Sequence, residues 1–281
     1  MTTPNDDLTV STGIAIGSSN LHRWLAPVTA QAWAEIAEEA TRTFKRNVAG
    51  RRVVDVRGPL GFDTASVPTG HVTEIASPRE GIRSRLRDVA PLVELKVPFT
   101  VTREAIDDVL RGAQDSDWQP VKDAATLLAH AEDRAIFEGY EAAHITGIGQ
   151  ASDNAAVALP DDPRNLPDAV AGAQTELRLA GVEGPYSLVL DADLYTAVSE
   201  TRDHGYPIRE HLERMVHEEI IWAPALTGAY LLSTRGGDHE LIIGQDVSIG
   251  YLEHSADEVR LYLQESITFQ CNAGEASVAL R

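Results

Sequence analysis

The stretch VRLYLQESITF, residues 259–269, decides how this chain can fold. Its apolar residues keep to every second position, and only Glu265 interrupts the alternation. A period of two indicates a β-strand with one buried face. The preceding run Leu241–Tyr251 is separated from this strand by the charged turn Glu253–Asp257, so the sequence predicts an antiparallel hairpin in the last segment.

Much of the chain before this hairpin carries helical periodicity. In Thr29–Lys45 apolar side chains recur at intervals of three and four residues, and Gly50 marks the end of that helix. A buried strand is predicted at Tyr186–Leu190. The other segments with helical texture, of which the second is the longest, are Arg103–Arg111, Gln119–Ala143, Pro167–Ala180, Ala192–Thr201 and Ile208–His217.

Residues 51–100 have a β-like texture instead. They contain five prolines and four glycines but few large aromatic residues, and they include the aliphatic runs Val53–Val56 and Leu92–Val97. Such a segment cannot bury both of its faces within its own subunit. We therefore expect an extended arm that a neighbouring chain covers.

The composition is that of a folded globular protein with a strong negative charge. The chain has 281 residues, 43% of them hydrophobic, and 43 acidic against 24 basic residues give a net charge of −19. This charge disfavours nucleic acid and anionic lipid as partners. No window has the run of about eighteen apolar residues that spans a bilayer, and Met1–Val10 lacks a secretion signal. We therefore expect a cytoplasmic protein with no membrane partner.

The sequence lacks the motifs of common enzyme classes. In the run HEEII at residues 217–221, Ile221 occupies the position that a zinc metalloprotease fills with its second histidine. His204, His211 and His217 are too far apart along a helix to share one metal ion. No phosphate-binding loop, dinucleotide fingerprint or nucleophile elbow is present. We therefore predict no catalytic residue, no cofactor and no metal, and a protein that is not an enzyme.

Several short sequence motifs between residues 21 and 280 occur together in one known family. They are Leu25-Ala26-Pro27-Val28-Thr29, Glu183-Gly184-Pro185-Tyr186, His204-Gly205-Tyr206-Pro207, Arg235-Gly236-Gly237-Asp238, Gly244-Gln245-Asp246-Val247-Ser248-Ile249-Gly250-Tyr251 and Val259-Arg260-Leu261-Tyr262. In amino-acid sequence and in order along the chain, these motifs resemble those of family 1 encapsulin shell proteins, especially the actinobacterial ones. Similarity of this length covers almost the whole chain.

The resemblance implies an α+β, HK97-like capsid fold with a peripheral domain, an axial domain and an extended E-loop arm. The implied division is an N-terminal extension at 1–19, the N-terminal helix of the peripheral domain at 20–50, the E-loop at 51–100, the long helix of the peripheral domain at 101–143, the axial domain at 144–235 and the β-hairpin of the peripheral domain at 236–281. The implied function is a structural subunit that self-assembles into an icosahedral nanocompartment, of the smallest class, T=1. Its cargo would be a dye-decolourising peroxidase or a ferritin-like iron protein.

The resemblance also implies two sites, carried over from matching positions of the family. The targeting peptide of the cargo would dock on the inner wall, in a groove formed by Phe44, Arg51, Asp55, Val56, Asp246, Val247 and Ile249. The five-fold pore would be lined by Arg202, Asp203, His204, Gly205 and Tyr206. The alternative for the pore segment is a plain connection between helices, and the alternative for Phe44 and Ile249 is ordinary packing in the core.

The first nineteen residues are additional to the usual start of family members. Within them Leu8, Val10, Ile14, Ile16, Gly17 and Ser18 form phrases that resemble cargo-targeting peptides of the family. Ser18 precedes the helix start at Thr29 by eleven residues, a reach of up to roughly 36 Å when extended. The extension could therefore fold back onto its own groove or a neighbour's. The alternative is an ordinary tail or a fused segment.

Two other functions share parts of this pattern. A viral capsid protein has the same fold but encloses nucleic acid, which the charge of −19 disfavours. A secreted hydrolase or bacteriocin would need a signal peptide and a catalytic constellation, and neither is visible in the sequence.

Overall fold

A computed structural model describes residues 19–281 of the chain. The six cargo-like residues predicted in the extension, Leu8 to Ser18, lie outside the described residues. The helices are α1 (Ala30–Asn47), α2 (Arg103–Arg111), α3 (Gln119–Phe137), α4 (Ile148–Ala151), α5 (Leu166–Leu179), α6 (Ala192–Glu200) and α7 (Ile208–Val216). The strands are β1 (Asp55–Arg57), β2 (Ser66–Ile75), β3 (Ser84–Pro91), β4 (Val93–Thr102), β5 (Tyr186–Leu190), β6 (Arg202–Asp203), β7 (Tyr206–Pro207), β8 (Ile220–Trp222), β9 (Ala229–Ser233), β10 (His239–Ile243), β11 (Ser248–His254), β12 (Glu258–Cys271) and β13 (Ser277–Leu280).

The long strand β12 organises a five-stranded sheet. Strand β4 runs antiparallel along one edge of β12, while β10 and β11 follow one another along the other edge. Strand β1 extends the sheet by pairing in parallel with β10. The predicted hairpin is confirmed, but the run Leu241–Tyr251 is not one strand, because β10 ends at Ile243 and β11 begins at Ser248.

Helices α1 and α3 pack on each other and on this sheet. Their apolar stripes meet the alternate residues of β12 in a core that includes Ile36, Leu128 and Leu263. The predicted helix at Thr29–Lys45 is confirmed, and the Thr29 side chain caps it by accepting the backbone N–H of Ala32.

The longest helix is shorter than the sequence predicts. Helix α3 ends at Phe137 and not at Ala143, because Gly139 adopts a left-handed conformation with φ of 88°. The chain folds back so closely there that a Cβ atom on Gly147 would lie 2.2 Å from the amide nitrogen of Gly139. The aliphatic pattern alone does not reveal this reversal.

A second sheet has four strands in the order β13, β9, β5 and β8. Helices α5 and α7 pack on it around a core that contains Leu177, Leu188 and Leu212. The predicted assignment of residues 236–281 to one hairpin region needs a correction, because β13 pairs with β9 in this second sheet. The pairing satisfies the backbone groups along an edge of β9 that would otherwise be open.

The arm is a two-stranded hairpin made by β2 and β3. Among the described residues these two strands pair only with each other. The predicted range 51–100 is too wide for the arm, because β1 and β4 are members of the five-stranded sheet. The hairpin and its turn leave several aliphatic side chains about half exposed or more, namely Val72, Ile75, Ile82, Leu86 and Val89.

Candidate functional site

The end of α1 is held by a buried carboxylate of α3. After Asn47 the chain makes a tight turn, in which the backbone N–H groups of Ala49 and Gly50 donate to the Asp133 side chain at 2.8–3.0 Å. A Cβ atom at residue 50 would lie 2.4 Å from the side chain of Ile136, so this approach requires glycine. The turn thereby presents the next residue, Arg51, to the interior.

The guanidinium of Arg51 lies at the centre of a buried ion cluster. It donates to Glu132 of α3 through Nε and Nη2, at 2.8 and 2.6 Å, and to Glu265 of β12 through Nη2 at 3.1 Å. Its Nη1 donates to Asp246 at 2.8 Å, and its Cζ atom lies 4.9 Å from the centre of the Phe44 ring. One cation therefore joins α1, α3, β12 and the segment between β10 and β11.

Burial and like charge dominate the electrostatics of this cluster. Burial raises the pKa of Glu265 well above its usual value, and the neighbouring Glu132 raises it further, against the opposing effect of Arg51. Burial also raises the pKa of Asp133 to about 7, although the two backbone N–H groups that it binds act in the opposite direction. Burial lowers the pKa of Arg51, but its carboxylate partners outweigh that effect and raise it overall.

The segment between β10 and β11 brings Asp246 into the cluster. A Cβ atom on Gly244 would meet the side chains of Leu92 and Ser266 at 2.6 Å, and the backbone N–H of Gln245 donates to Ser266 Oγ at 2.8 Å. Gly244 and Gln245 both bind the backbone of Ser266 in β12, so the chain leaves the ladder only after Gln245 and rejoins it at Ser248. Asp246 is the one residue from 241 to 250 that is not fully buried.

The structure divides the seven predicted groove residues into two groups. Arg51 and Asp246 bind each other, while Phe44, Val247 and Ile249 lie in one core cluster beside them. Ile249 is completely buried and Phe44 is 4% exposed, so both lie beneath the subunit surface. This is the packing that the sequence analysis kept open as an alternative for these two residues.

The other two predicted groove residues make their contacts elsewhere, on β1. Asp55 accepts the backbone N–H of Gly237, and Val56 pairs with Leu241 of β10. Asp55 also lines a small cavity of about 130 Å³ together with His239, whose pKa is lowered by burial. The described contacts therefore do not join Asp55 to the Arg51 cluster.

Three members of the cluster, Glu132, Asp133 and Glu265, were not among the site residues predicted from the sequence. One signal for Glu265 was visible, since this carboxylate interrupts the apolar alternation of a strand that is otherwise buried on that face. Glu132 and Asp133 lie among the buried residues of α3, where charged side chains are rare unless they are paired. A buried acid in an apolar stripe therefore predicts a cation, but not which cation.

The predicted pore residues form an exposed hairpin tip between α6 and α7. Strands β6 and β7 pair through Arg202 and Asp203, and the turn between them has positive φ at His204 and Gly205. The His204 side chain is 95% exposed. Residues Arg202 to Tyr206 are all exposed in the subunit.

Comparison with known proteins decides the family of this chain. The family described as "Encapsulating protein for peroxidase" matches residues 18–268. The type 1 encapsulin shell protein of Rhodococcus erythropolis is 62% identical over 262 residues, which are 93% of this chain and 99% of that protein. The chain belongs to the type 1 encapsulin shell proteins. A more distant member, from Rhodospirillum rubrum, is 47% identical over 94% of this chain and 96% of that protein.

Solved structures confirm the HK97-like capsid fold of this encapsulin. A virus-like particle from Pyrococcus furiosus has a TM-score of 0.64 at 17% identity, and covers 89% of this chain and 99% of its own. A structure from Mycobacterium phage Bobi has a TM-score of 0.57 at 16% identity, and the match covers 96% of each chain. Likeness at this low identity concerns the fold, whereas the encapsulin relatives determine the family.

The encapsulin shell protein is structural and not an enzyme, and its copies assemble into a capsid-like nanocompartment. The alternatives of a viral capsid protein and of a hydrolase or bacteriocin are thereby set aside. Residues 19–281 hold no group of three or more His, Cys, Asp or Glu side chains placed to bind a metal ion. None of the helices in the same part of the chain could cross a membrane.

Proposed function

We propose that this shell encloses a cargo enzyme that carries a short targeting peptide, and that the peptide docks over the break between β10 and β11. The observation that carries the proposal is the position of Asp246. Its Oδ1 accepts from Arg51 and from the backbone N–H of Val247, while its Oδ2 receives no hydrogen bond from the described residues. This oxygen is available to a peptide N–H or a basic side chain.

The buried members of the groove support this surface from beneath. Phe44, Val247 and Ile249 form an apolar floor, and Arg51 holds Asp246 in place. Because the guanidinium of Arg51 already binds three carboxylates, we assign it a positioning role and not a direct peptide contact. Asp55 and Val56 would meet a different part of an extended peptide, along β1.

We propose a peroxidase as the cargo, since the family description names one. A dye-decolourising peroxidase would give the compartment a role in oxidative stress. A ferritin-like iron protein, and with it iron storage, is the second choice. We expect T=1 shells, with the five-stranded sheet in the peripheral domain and the four-stranded sheet in the axial domain.

Co-expression of the shell with a fluorescent protein that carries a candidate targeting peptide tests the docking site. Asp246→Lys should lower the ratio of reporter to shell about tenfold or more. The change removes a charged hydrogen-bond acceptor and puts a positive charge where a basic side chain of the peptide would bind. Asp257→Lys, in the exposed turn before β12, is the matched control and should load normally. Equal loading of both variants, in shells that are intact by electron microscopy, would show that Asp246 does not bind the targeting peptide.

We also propose that Arg202, Asp203, His204, Gly205 and Tyr206 line the five-fold pore. Their exposure in the isolated subunit supports this, because charged groups at a narrow mouth keep contact with water. Cryo-electron microscopy of purified shells tests the assignment directly. A reconstruction in which His204 lies away from every five-fold axis contradicts it.

The extension is proposed as a built-in competitor for the cargo groove. The first described residues support this, because Asn20 donates to Gln245 at 3.2 Å, next to Asp246. The described chain therefore begins beside the break between β10 and β11, and tethering at that point would give the extension an effective concentration of roughly millimolar. Deletion of residues 1–19 should increase reporter loading, whereas unchanged loading would show that the extension does not compete.

A further inference from the structure

We propose that Glu132 and Glu265 hold one proton between them, and that this proton locks the root to the five-stranded sheet. The root is defined here as residues 48–54, which connect α1 to β1 ahead of the arm. The proton lies beside the proposed cargo site, because Arg51 binds Asp246 as well as both glutamates, but its presence does not depend on whether a peptide docks there.

The carboxylates of the cluster outnumber its cations. Glu132, Glu265 and Asp246 together bring three negative charges to the one positive charge of Arg51. The side chains of Glu132 and Glu265 are both 0% exposed, and both accept from the same nitrogen, Arg51 Nη2. Two buried carboxylates at one donor cannot both stay ionised without a large electrostatic cost, so such pairs share a proton.

A proton would give one oxygen of the pair a hydrogen-bonding role. Glu265 Oε1 is buried and has no hydrogen-bond partner among the described residues. An ionised oxygen in that position would lose its hydration without compensation. A proton on Glu265 removes the charge and provides a donor for the Glu132 carboxylate, whose negative charge contributes to the raised pKa of Glu265.

The groups that face this pair come from each element around it. Arg51 of the root provides the cation, and Asp246, from the segment between β10 and β11, provides a further negative charge. Asp133 of α3 faces the root from behind and binds its amides. The contacts from α1 and β4 are uncharged, since α1 brings the Phe44 ring and β4 places Leu95 opposite Glu265 in the ladder.

The direction of the pH effect follows from the proton that the folded state retains. The unfolded chain releases the proton of Glu265 at about pH 4.3, whereas the folded subunit keeps it to a higher pH. The stability that this proton contributes is therefore complete below the pKa of the unfolded chain. It falls as the pH rises from there through the pKa of the folded state. Loss of the proton makes α3 and β12 repel each other at the point where Arg51 bridges them.

The test is the thermal unfolding of assembled shells from pH 5 to pH 10, for the wild type, Glu265→Gln and Glu258→Gln. Glutamine reproduces the shape of a protonated glutamate but cannot titrate. Glu258 is the matched control, since it lies exposed on the same strand. One retained proton makes the unfolding equilibrium constant rise about tenfold per pH unit. Asp133, with a pKa of about 7, adds the same rise to all three proteins below that pH, so Glu265→Gln should show a rise that is smaller than that of the wild type by about tenfold per pH unit, and Glu258→Gln should match the wild type.

Parallel pH profiles of the wild type and Glu265→Gln overturn the proposal. If Glu265→Gln fails to fold, infrared spectroscopy of wild-type shells at pH 8 decides the question. Asp133, with a pKa of about 7, is mostly ionised at that pH. A protonated carboxyl band that persists at pH 8 supports the shared proton, and its absence refutes it.

Discussion

The arm hairpin and strand β5 are both rich in aliphatic residues, yet they bury them differently. All five residues of β5 are buried within the subunit, whereas β2 and β3 expose Val72, Leu86 and Val89. A lone two-stranded hairpin is marginally stable in water, and its apolar side chains contribute only when a neighbour covers them. The sheet core therefore stabilises each subunit by itself, whereas we expect the apolar side chains of the arm to contribute only where a neighbouring subunit covers them.

Removal of the hairpin is expected to have the largest effect. Replacement of Ser66–Pro91 by a short glycine and serine linker should abolish shell formation and leave folded subunits, because β1 and β4 keep their places in the five-stranded sheet. Size-exclusion chromatography and electron microscopy measure assembly, and circular dichroism measures folding. Intact shells from this variant would show that the arm is dispensable.

Substitutions at two arginines, one in the root and one in the arm, should differ in their effect on the free energy of unfolding. Arg51→Ala should lower the free energy of unfolding by about 3–5 kcal/mol, because it leaves Glu132 and Glu265 buried without their cation. Arg83→Ala removes an exposed ion pair with Glu74 on the arm and should leave that free energy unchanged within error. Urea unfolding of both variants makes the comparison. A similar loss in both would mean that the arm also stabilises the subunit.

Two leucines give the smallest and sharpest contrast. Leu188→Ala, at a fully buried position of β5, should cost about 2–5 kcal/mol of subunit stability. Leu86→Ala, at a position 57% exposed on the arm, should leave subunit stability unchanged and reduce the yield of assembled shells. Urea unfolding and light scattering distinguish the two effects. Full assembly of the Leu86→Ala variant would show that this side chain does not contribute to the contacts between subunits.

Local features of the fold could be predicted because they depend on near neighbours in the chain. The period of β12, the helix α1 that begins next to Thr29 and the buried strand β5 all follow from patterns within about a dozen residues. The early end of α3 could not, because it depends on the close approach of Gly139 to Gly147. The family resemblance supplied candidate groove residues but not the burial of Ile249 or the separate contacts of Asp55.

The sequence by itself determined the class of elements, the excess of acidic charge and the resemblance to encapsulin shell proteins. Only the tertiary structure decided which charges meet. Arg51 joins Glu132 and Glu265 across separations of 81 and 214 residues. Strand β13 likewise leaves the last hairpin to complete the edge of β9. The physical reason is that periodicity reports which face of an element is buried, whereas partner choice depends on long-range pairings that local patterns do not encode.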